Sequence, residues 1–549
     1  MDDLSRFAVR HGTDKFGLHH YTPVYHRLFG HLRNRPVRLL EIGVGGFQDE
    51  DRGGHSLAMW RDYFPNGEIT SLDIHKKTID LGPRVKIFQG SQIDEAFLRE
   101  IQDERGPFDI IIDDGSHRND HVLESYRILW TGLTPGGYYA IEDLQTAFFP
   151  QSGGSIDLTP PNSVGYFADV FEKLGSDRAP AEIRSMVRVH NIVVLQKVGG
   201  ADECMSITEA EYPLQRVDPN GDWREAFARI PSPGALMIDG SLDGQDLVRR
   251  FIEVDHREIA VHFPETKIDP AATEIFAIQR DNDGILVLKA PNDYPSNFKF
   301  DAKHHDVSTV LDAMLEAVRQ DPEVTNEGIS NLAELVASYR SLEEVEDLID
   351  QLEAKDVRTR AALRMRVELA RRRDDSDKLS CLLAISLEQF PAEPRFHQLL
   401  ADHHFRLGKL EAALEAIETS RKAFPRVRQL GILHGRILSA MSRDGEAIAV
   451  LRELELTAPD SARIAIGMAK AKVLQKAQRF DEAETCLMNM VDGNRAANHL
   501  AYRLLCDIRL DLGRPQDALS AIDQALELAP EVVGYQRIRA RISESLKSA

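Results

Sequence analysis

At 549 residues with 42% hydrophobic content, the chain is too long for one ordinary core and too apolar for a disordered protein, so about two to four domains are expected. A formal net charge of −21 argues against a bare nucleic-acid or anionic-membrane binder. Cys204, Cys381, Cys486 and Cys506 are widely scattered, which implies neither a disulfide framework nor a zinc site. The N-terminus Met-Asp-Asp-Leu-Ser-Arg has no basic stretch followed by an apolar one, and no run is long and apolar enough to span a bilayer. A cytoplasmic, reducing location is therefore expected.

From Val37 onward strand and helix patterns alternate. Val37 to Ile42 reads as a strand and runs into the glycine turn Gly43-Val44-Gly45-Gly46. A helix follows over Ser56 to Tyr63, then strands at Glu68 to Ile74, Val85 to Phe88, Asp109 to Ile112 and Tyr138 to Ile141. Helical patterns at Asp94 to Gln102 and Asp120 to Trp130 separate the later strands, and Pro135-Gly136-Gly137 reads as a turn before the fifth. Met186 to Val189 and Ile192 to Lys197, joined at His190-Asn191, read as a closing hairpin. This alternation predicts an α/β, doubly wound, mostly parallel sheet of the methyltransferase type.

The ligand crevice of such a sheet lies at the carboxyl ends of its strands. Glu41-x-Gly43-x-Gly45-Gly46 lacks the third glycine of the dinucleotide fingerprint. Asp73 ends the next strand, where an acid accepts both hydroxyls of a ribose. Glu41 lies inside its strand, where burial demands a partner such as a ligand ammonium. Together these features favour S-adenosylmethionine over NAD. Asp113-Asp114 and Glu142-Asp143 close two strands expected to be neighbours, and so many carboxylates repel unless a cation or proton intervenes. Hard oxygen ligands suit Mg²⁺, although solvated strand-end acids or helix caps remain the plain alternative. His117, three residues past Asp114, is placed to act as a general base or simply to cap the loop.

Several stretches carry a resemblance: Gly12-Thr13-Asp14-Lys15, Leu40 to Gly46, Ser56-Leu57-Ala58-Met59-Trp60, Phe88-Gln89-Gly90-Ser91-Gln92, Ile112 to His117 and Gly137 to Thr146. In order and spacing, from about His11 to Lys197, they resemble the macrolide sugar O-methyltransferases of the macrocin and mycinamicin type. The resemblance implies a class I fold that uses S-adenosylmethionine and Mg²⁺ to methylate a sugar hydroxyl. It implies Asp114, Glu142 and Asp143 as metal ligands, His117 as the base, and Glu41, Gly43, Ser56, Asp73 and Gln92 at the cofactor. Gly45 and Asp113 join that cofactor set, Asp113 as a support that binds no metal. Thr13, Lys15, His19 and Tyr21 would form a lid over the cofactor or a docked N-terminal turn. Ala147-Phe148-Phe149-Pro150 would touch the acceptor or pack beneath a lid. The loop Gln48-Asp49-Glu50-Asp51-Arg52 is more acidic than a site for an anionic substrate calls for.

Residues 201–305 read as a small α+β region of unknown role, with strands at Glu258 to Phe263, Thr273 to Gln279 and Gly284 to Ala290 and a turn at Asp281-Asn282-Asp283-Gly284. His256, His262, His304 and His305 form no recognisable ligand set. Beyond Ser308 the pattern is helical. Val345, Leu379, Ala413, Ala447, Ala483 and Ala518 are spaced by 34, 34, 34, 36 and 35 residues, the tetratricopeptide period. Pro391, Pro425, Pro459 and Pro530 each follow by 12, and Gly408 and Gly513 sit at inter-helix turns. The expected division is therefore a methyltransferase domain over 1–200, the α+β region over 201–305, and an all-α tetratricopeptide-like array over 306–549.

The function expected is a Mg²⁺- and S-adenosylmethionine-dependent O-methyltransferase acting on a sugar-bearing acceptor, with repeats that recruit a protein or peptide partner. Oligomeric state is left open, a homo-oligomer included. The alternative is a scaffold that binds S-adenosylmethionine without turnover, in which the repeats carry the main function.

Overall fold

The computed structural model describes residues 1–17, 19–174, 176–189, 191–200, 205, 213–218, 222–231, 233–239, 275–281, 284–289, 308–340, 342–354, 360–425, 427–457, 460–491, 498–528 and 532–548. Two compact units divide the chain, residues 1–357 and 358–549.

In the first unit, α1 (Asp3–His11) and α2 (Tyr21–Phe29) precede the sheet. The Asp2 carboxylate caps α1 by accepting from the Ser5 amide at 2.8 Å. Five strands follow, β1 (Arg38–Ile42), β2 (Glu68–Asp73), β3 (Val85–Gln89), β4 (Phe108–Asp113) and β5 (Leu133–Ile141), joined by helices except between β2 and β3, where a loop runs. The helices are α3 (His55–Tyr63), α4 (Glu95–Arg105) and α5 (Asn119–Leu129), each laid over the sheet. Ile110, Ile111 and Ile112 of β4 are all fully buried, as a strand covered on both faces requires. After α6 (Ser163–Lys173), β6 (Ile183–Val189) and β7 (Ile192–Lys197) form the expected antiparallel hairpin. Its His190 lies outside the described residues.

The sheet order is β3-β2-β1-β4-β5-β7-β6 and then four further strands. The chain reverses direction across the sheet between β1 and β4, so the carboxyl ends of β1, β4 and β5 lie side by side. Two features differ from the sequence reading. Pro135-Gly136-Gly137 lies within β5: Phe108 pairs with Leu133 and Ile110 with Tyr138. Two residues of β4 thus face five of β5, and the surplus is taken up in a bulge at Gly136, whose φ is +82°. The middle segment also joins the main sheet. α7 (Trp223–Arg229) accompanies β8 (Leu214–Val217), β9 (Gly234–Asp239), β10 (Ile275–Asp281) and β11 (Gly284–Lys289). β10 pairs antiparallel with β6, with Ala277 opposite Val189, so the hairpin's open edge is covered. The strand expected over Glu258 to Phe263, the turn residues Asn282 and Asp283, and His256, His262, His304, His305 and Cys204 lie outside the described residues.

Helices α8 (Ser308–Gln320), α9 (Asn326–Tyr339) and α10 (Leu342–Ala354) fall in the first unit. The second unit consists of successive helix pairs: 360–372 with 376–389, 394–406 with 410–423, 428–440 with 444–457, 460–476 with 480–491, and 498–511 with 515–528, then a last helix over 533–548. It is a tetratricopeptide-like solenoid. Leu379, Ala413, Ala447, Ala483 and Ala518 each occupy the fourth residue of a second helix and are buried. Five residues before each stands a turn residue with positive φ: Asp374, Gly408, Ser442, Gln478 and Gly513, at 55°, 71°, 61°, 58° and 70°. Every turn therefore needs the left-handed conformation, and only two supply glycine for it. At the corresponding place before Val345 stands Arg340, which is extended at φ −136°. That turn differs in kind from the repeat turns. Pro391 and Pro425 lie just past helix ends, whereas Pro459 and Pro530 lie outside the described residues. No described helix is long and apolar enough to cross a membrane.

Two outcomes are expected. Gln478→Gly relieves a left-handed glutamine and should stabilise the chain by about 1 kcal/mol, read as a higher denaturation midpoint. Burial lowers the pKa of His403, His404 and His434. The Arg421 guanidinium also donates to His434 Nδ1 at 2.8 Å, so the ring is held neutral. A lowered histidine pKa contributes stability that is complete above the unfolded value of about 6.5 and is lost as pH falls below it. The unfolding temperature of the repeats should drop between pH 7.5 and pH 5, and His434→Gln should flatten that drop.

Candidate active site at the strand ends

The ladder extends one residue beyond the strands and there places the acids. The Asp114 amide donates to Ile42 O at 3.1 Å, and the Glu142 amide to Asp113 O at 3.0 Å. Glu41 from β1, Asp114 after β4 and Glu142 after β5 therefore meet at one crevice. Glu41 is completely buried, and Asp113 and Glu142 are nearly so. Burying a carboxylate without a partner costs on the order of several kcal/mol.

The partner comes from the N-terminal segment. The Lys15 ammonium, itself buried, lies 2.7 Å from Asp114 Oδ2, 2.6 Å from Glu142 Oε2 and 3.2 Å from Glu41 Oε1. Burial opposes its charge, but the carboxylates of Asp114, Glu142 and Glu41 outweigh burial and hold its pKa well above the ordinary lysine value. The Tyr25 hydroxyl donates to Glu142 Oε1 at 2.8 Å, and the Tyr21 hydroxyl to Asp143 Oδ1 at 2.6 Å. One ammonium against three carboxylates leaves two negative charges. The shortfall is visible in the acids: burial pushes Glu41 up to about 7, even beside Lys15, and pushes Glu142 well up.

Asp114, His117 and Asp143 each present a donor atom, and the three atoms lie within 4.8 Å of one another. His117 Nε2 stands 3.8 Å from Asp114 Oδ1 and 3.6 Å from Asp143 Oδ2. Burial would raise the Asp143 pKa, but the His19 and His117 rings and the Tyr21 hydroxyl lower it instead. Both His117 and Asp143 have φ of +53°, a conformation unusual outside glycine and often found at functional sites. Two hard carboxylates and a local excess of negative charge fit a divalent cation such as Mg²⁺, with the His117 imidazole standing beside them. Glu142 adjoins this group, with its carboxylate turned to Lys15 and Tyr25.

The cofactor set divides into residues that face the crevice and residues that support it. Gly43 has φ of +98°, and a Cβ there would collide with the Asp114 carbonyl. Gly45 has φ of +76°, and its nearest neighbour beyond the adjoining residues is Gly53 Cα at 4.0 Å, so its face is open. Ser56 lies beside the Glu41 carboxylate. Lys15 is its partner within the chain, at 3.2 Å. A buried acid that shares one ammonium with two other carboxylates, next to an open glycine turn, has room for a ligand ammonium such as that of S-adenosylmethionine. Asp73 accepts from the Val44 amide at 3.1 Å and the His75 amide at 2.8 Å, which fixes its carboxylate at the end of β2.

Gln92 and Asp113 form the support. The Gln92 side chain donates to Asp113 Oδ1 at 3.3 Å and accepts from the Ser116 amide at 2.7 Å. Ser125 Oγ donates to Asp113 Oδ2 at 2.5 Å. Burial raises Asp113 to about 6 even with the Ser125 hydrogen bond. These contacts brace the loop that carries His117. Ala147 and Phe148 are buried in the core, so they pack. Lys15 and Tyr21 belong to the stretch expected as a lid or docked turn, and they dock onto the acids. Tyr25 escaped the sequence reading, since nothing marks one tyrosine in an amphipathic helix; the surplus of buried acids called for such donors.

No family model matches the chain. It is similar to curated sugar O-methyltransferases: 43% identical over 209 residues to the 8-demethyl-8-(2-methoxy-alpha-L-rhamnosyl)-tetracenomycin-C 3'-O-methyltransferase of Streptomyces olivaceus (36% of this chain, 54% of that one). It is 49% identical over 156 residues to the mycinamicin VI 2''-O-methyltransferase of Micromonospora griseorubida (28% and 39%). Among solved structures, MycE methyltransferase from the mycinamycin biosynthetic pathway, in complex with Mg and SAH, is 40% identical with a TM-score of 0.34, covering 36% of this chain and 54% of that one. The chain thus spans about half or less of the length of these relatives. The resemblance carried by the N-terminal motifs is borne out. Gly43→Ala, which combines a left-handed φ with a backbone collision, should destabilise the protein by about 3 kcal/mol in chemical denaturation.

Proposed function

We propose that the first unit works as the sugar O-methyltransferases that it resembles, transferring a methyl group from S-adenosylmethionine to a sugar hydroxyl of a glycan, glycoconjugate or natural product. The observation that carries this reading is the cluster of Asp114, His117 and Asp143 beside the buried Glu41 and the open glycine turn. Asp114 and Asp143, with Glu142 adjoining, would hold Mg²⁺, and Glu41, Gly43, Gly45, Ser56 and Asp73 would line the cofactor. When bound, S-adenosylmethionine supplies an electrophilic methyl group and Mg²⁺ stabilises negative charge on the acceptor oxygen.

His117 takes the hydroxyl proton. The methyl group would pass from the cofactor sulfur to the acceptor oxygen that His117 deprotonates, with S-adenosylhomocysteine as the leaving product. Asp113, fixed by Gln92 and Ser125, keeps the loop carrying His117 in place, so the reactants are held in position rather than found by diffusion. The stacked helix pairs of 360–528 are read as a surface for a protein or peptide partner. A scaffold that binds the cofactor without turnover is the second reading, favoured by the Lys15 ammonium already standing among the acids.

Calorimetry of the full chain tests both. S-adenosylmethionine should bind more tightly with Mg²⁺ present, and an affinity indifferent to Mg²⁺ would sink the metal assignment. His117→Ala should leave cofactor affinity within about threefold. It should also cut S-adenosylhomocysteine release over a panel of deoxysugar glycosides by about a hundredfold or more. Cofactor binding by the wild type without any such release would favour the scaffold.

A further inference from the structure

The Lys15 side chain reaches the acids from a short turn between α1 and α2, and that turn is gripped from its other side by α8 and α9, far along the sequence at residues 308–339. The grip is an interlock of backbones. Gly12 has φ of +72°, and a Cβ there would lie 2.7 Å from the Glu327 carbonyl. Reciprocally, a Cβ on Gly328 would collide with the carbonyls of Val9 and Arg10. Thr325 serves both sides: its hydroxyl accepts from the Gly328 amide at 3.1 Å, capping α9, while donating to Arg10 O at 2.8 Å. The Asn331 side chain donates to Gly12 O. Arg10 Nε pairs with Asp321 at 2.7 Å, between α8 and α9.

We infer that the helix pair α8–α9 is a positioning element of the acid site: it fixes the Gly12–Lys15 turn so that the Lys15 ammonium stands as counter-cation among Glu41, Asp114 and Glu142. The Lys15 end of the turn is tied to α2, its carbonyl accepting from the Tyr21 amide at 3.0 Å; the clamp holds the Gly12 end, and both ends must be fixed to hold a flexible lysine against its rotamer entropy and desolvation. With the clamp, the ammonium is delivered to the oxygens of Asp114 and Glu142. A divalent ion bound to the same acids meets a like charge held beside it. In consequence the clamp, far from the acids in sequence, sets how readily the site accepts its metal. This last step rests on the Mg²⁺ reading above, whereas the positioning of Lys15 does not.

The test is a double-mutant cycle on the full chain with Lys15→Met and Gly328→Val, the latter packed against the Val9 and Arg10 backbone. Two readouts are taken: the Mg²⁺ dissociation constant by calorimetry and the denaturant midpoint without Mg²⁺. Each single substitution should tighten Mg²⁺ binding by at least about fivefold, and the double variant should bind like Lys15→Met alone. Lys15→Arg, which keeps the charge, should stay near the wild type. The metal-free midpoints should also be non-additive.

Independent effects of the two substitutions in both readouts would overturn the inference, as would Gly328→Val leaving Mg²⁺ affinity at the wild-type value. Where Gly328→Val does not fold, Asn331→Ala takes its place in the cycle. A wild type that binds no Mg²⁺ at all refutes the metal reading, and the metal-free cycle then decides the positioning by itself.

Discussion

One buried ammonium among three carboxylates is the constraint on which the first unit turns. The parallel sheet brings Glu41, Asp114 and Glu142 together because β1, β4 and β5 are neighbours and their carboxyl ends coincide. A fold that stopped there would carry an intolerable charge. The N-terminal segment supplies what the sheet lacks: Lys15 with its charge, Tyr21 and Tyr25 with their hydroxyls. The compensation is incomplete, and the raised pKa values of Glu41 and Glu142 show it. Such a site has an appetite for a further cation, which links the electrostatics of the fold to the chemistry proposed for it.

The same economy explains the arrangement around His117. Asp113 is spent on structure, since its oxygens take Gln92, Ser125 and the Gly115 amide. Its neighbour Asp114 is left to face the crevice. Two adjacent acids in the sequence thus have different tasks because successive residues of an extended chain point to opposite sides. The loop beyond them then turns through a left-handed His117, and its imidazole comes back over Asp114 and Asp143.

The solenoid of the second unit obeys a different rule. Its regularity is one of backbone conformation: a left-handed residue in the turn inside each of the five helix pairs, then a small or aliphatic residue where the paired helices meet. Gly408 and Gly513 announce the turn in the sequence, whereas Asp374, Ser442 and Gln478 do the same work with side chains that resist it. The period is legible in the buried positions because packing admits few residue types there. It fades in the turns because a polar residue on the surface can tolerate moderate strain.

By itself the sequence determined the doubly wound sheet, the repeat period, the acids at the strand ends and the likeness to sugar O-methyltransferases, because periodicity, glycine turns and strand-end acids are local signals. It placed Lys15 and Tyr21 near the site but could not choose between a lid and a docked turn, and it had no means of seeing Tyr25. Only the tertiary structure decided that Pro135-Gly136-Gly137 is a bulge within β5 and that the strands of 214–289 extend the main sheet. It alone set α8 and α9 against the Lys15 turn. Each of these rests on which segments meet across long stretches of chain, and the free energy of such meetings depends on partners that no local pattern names.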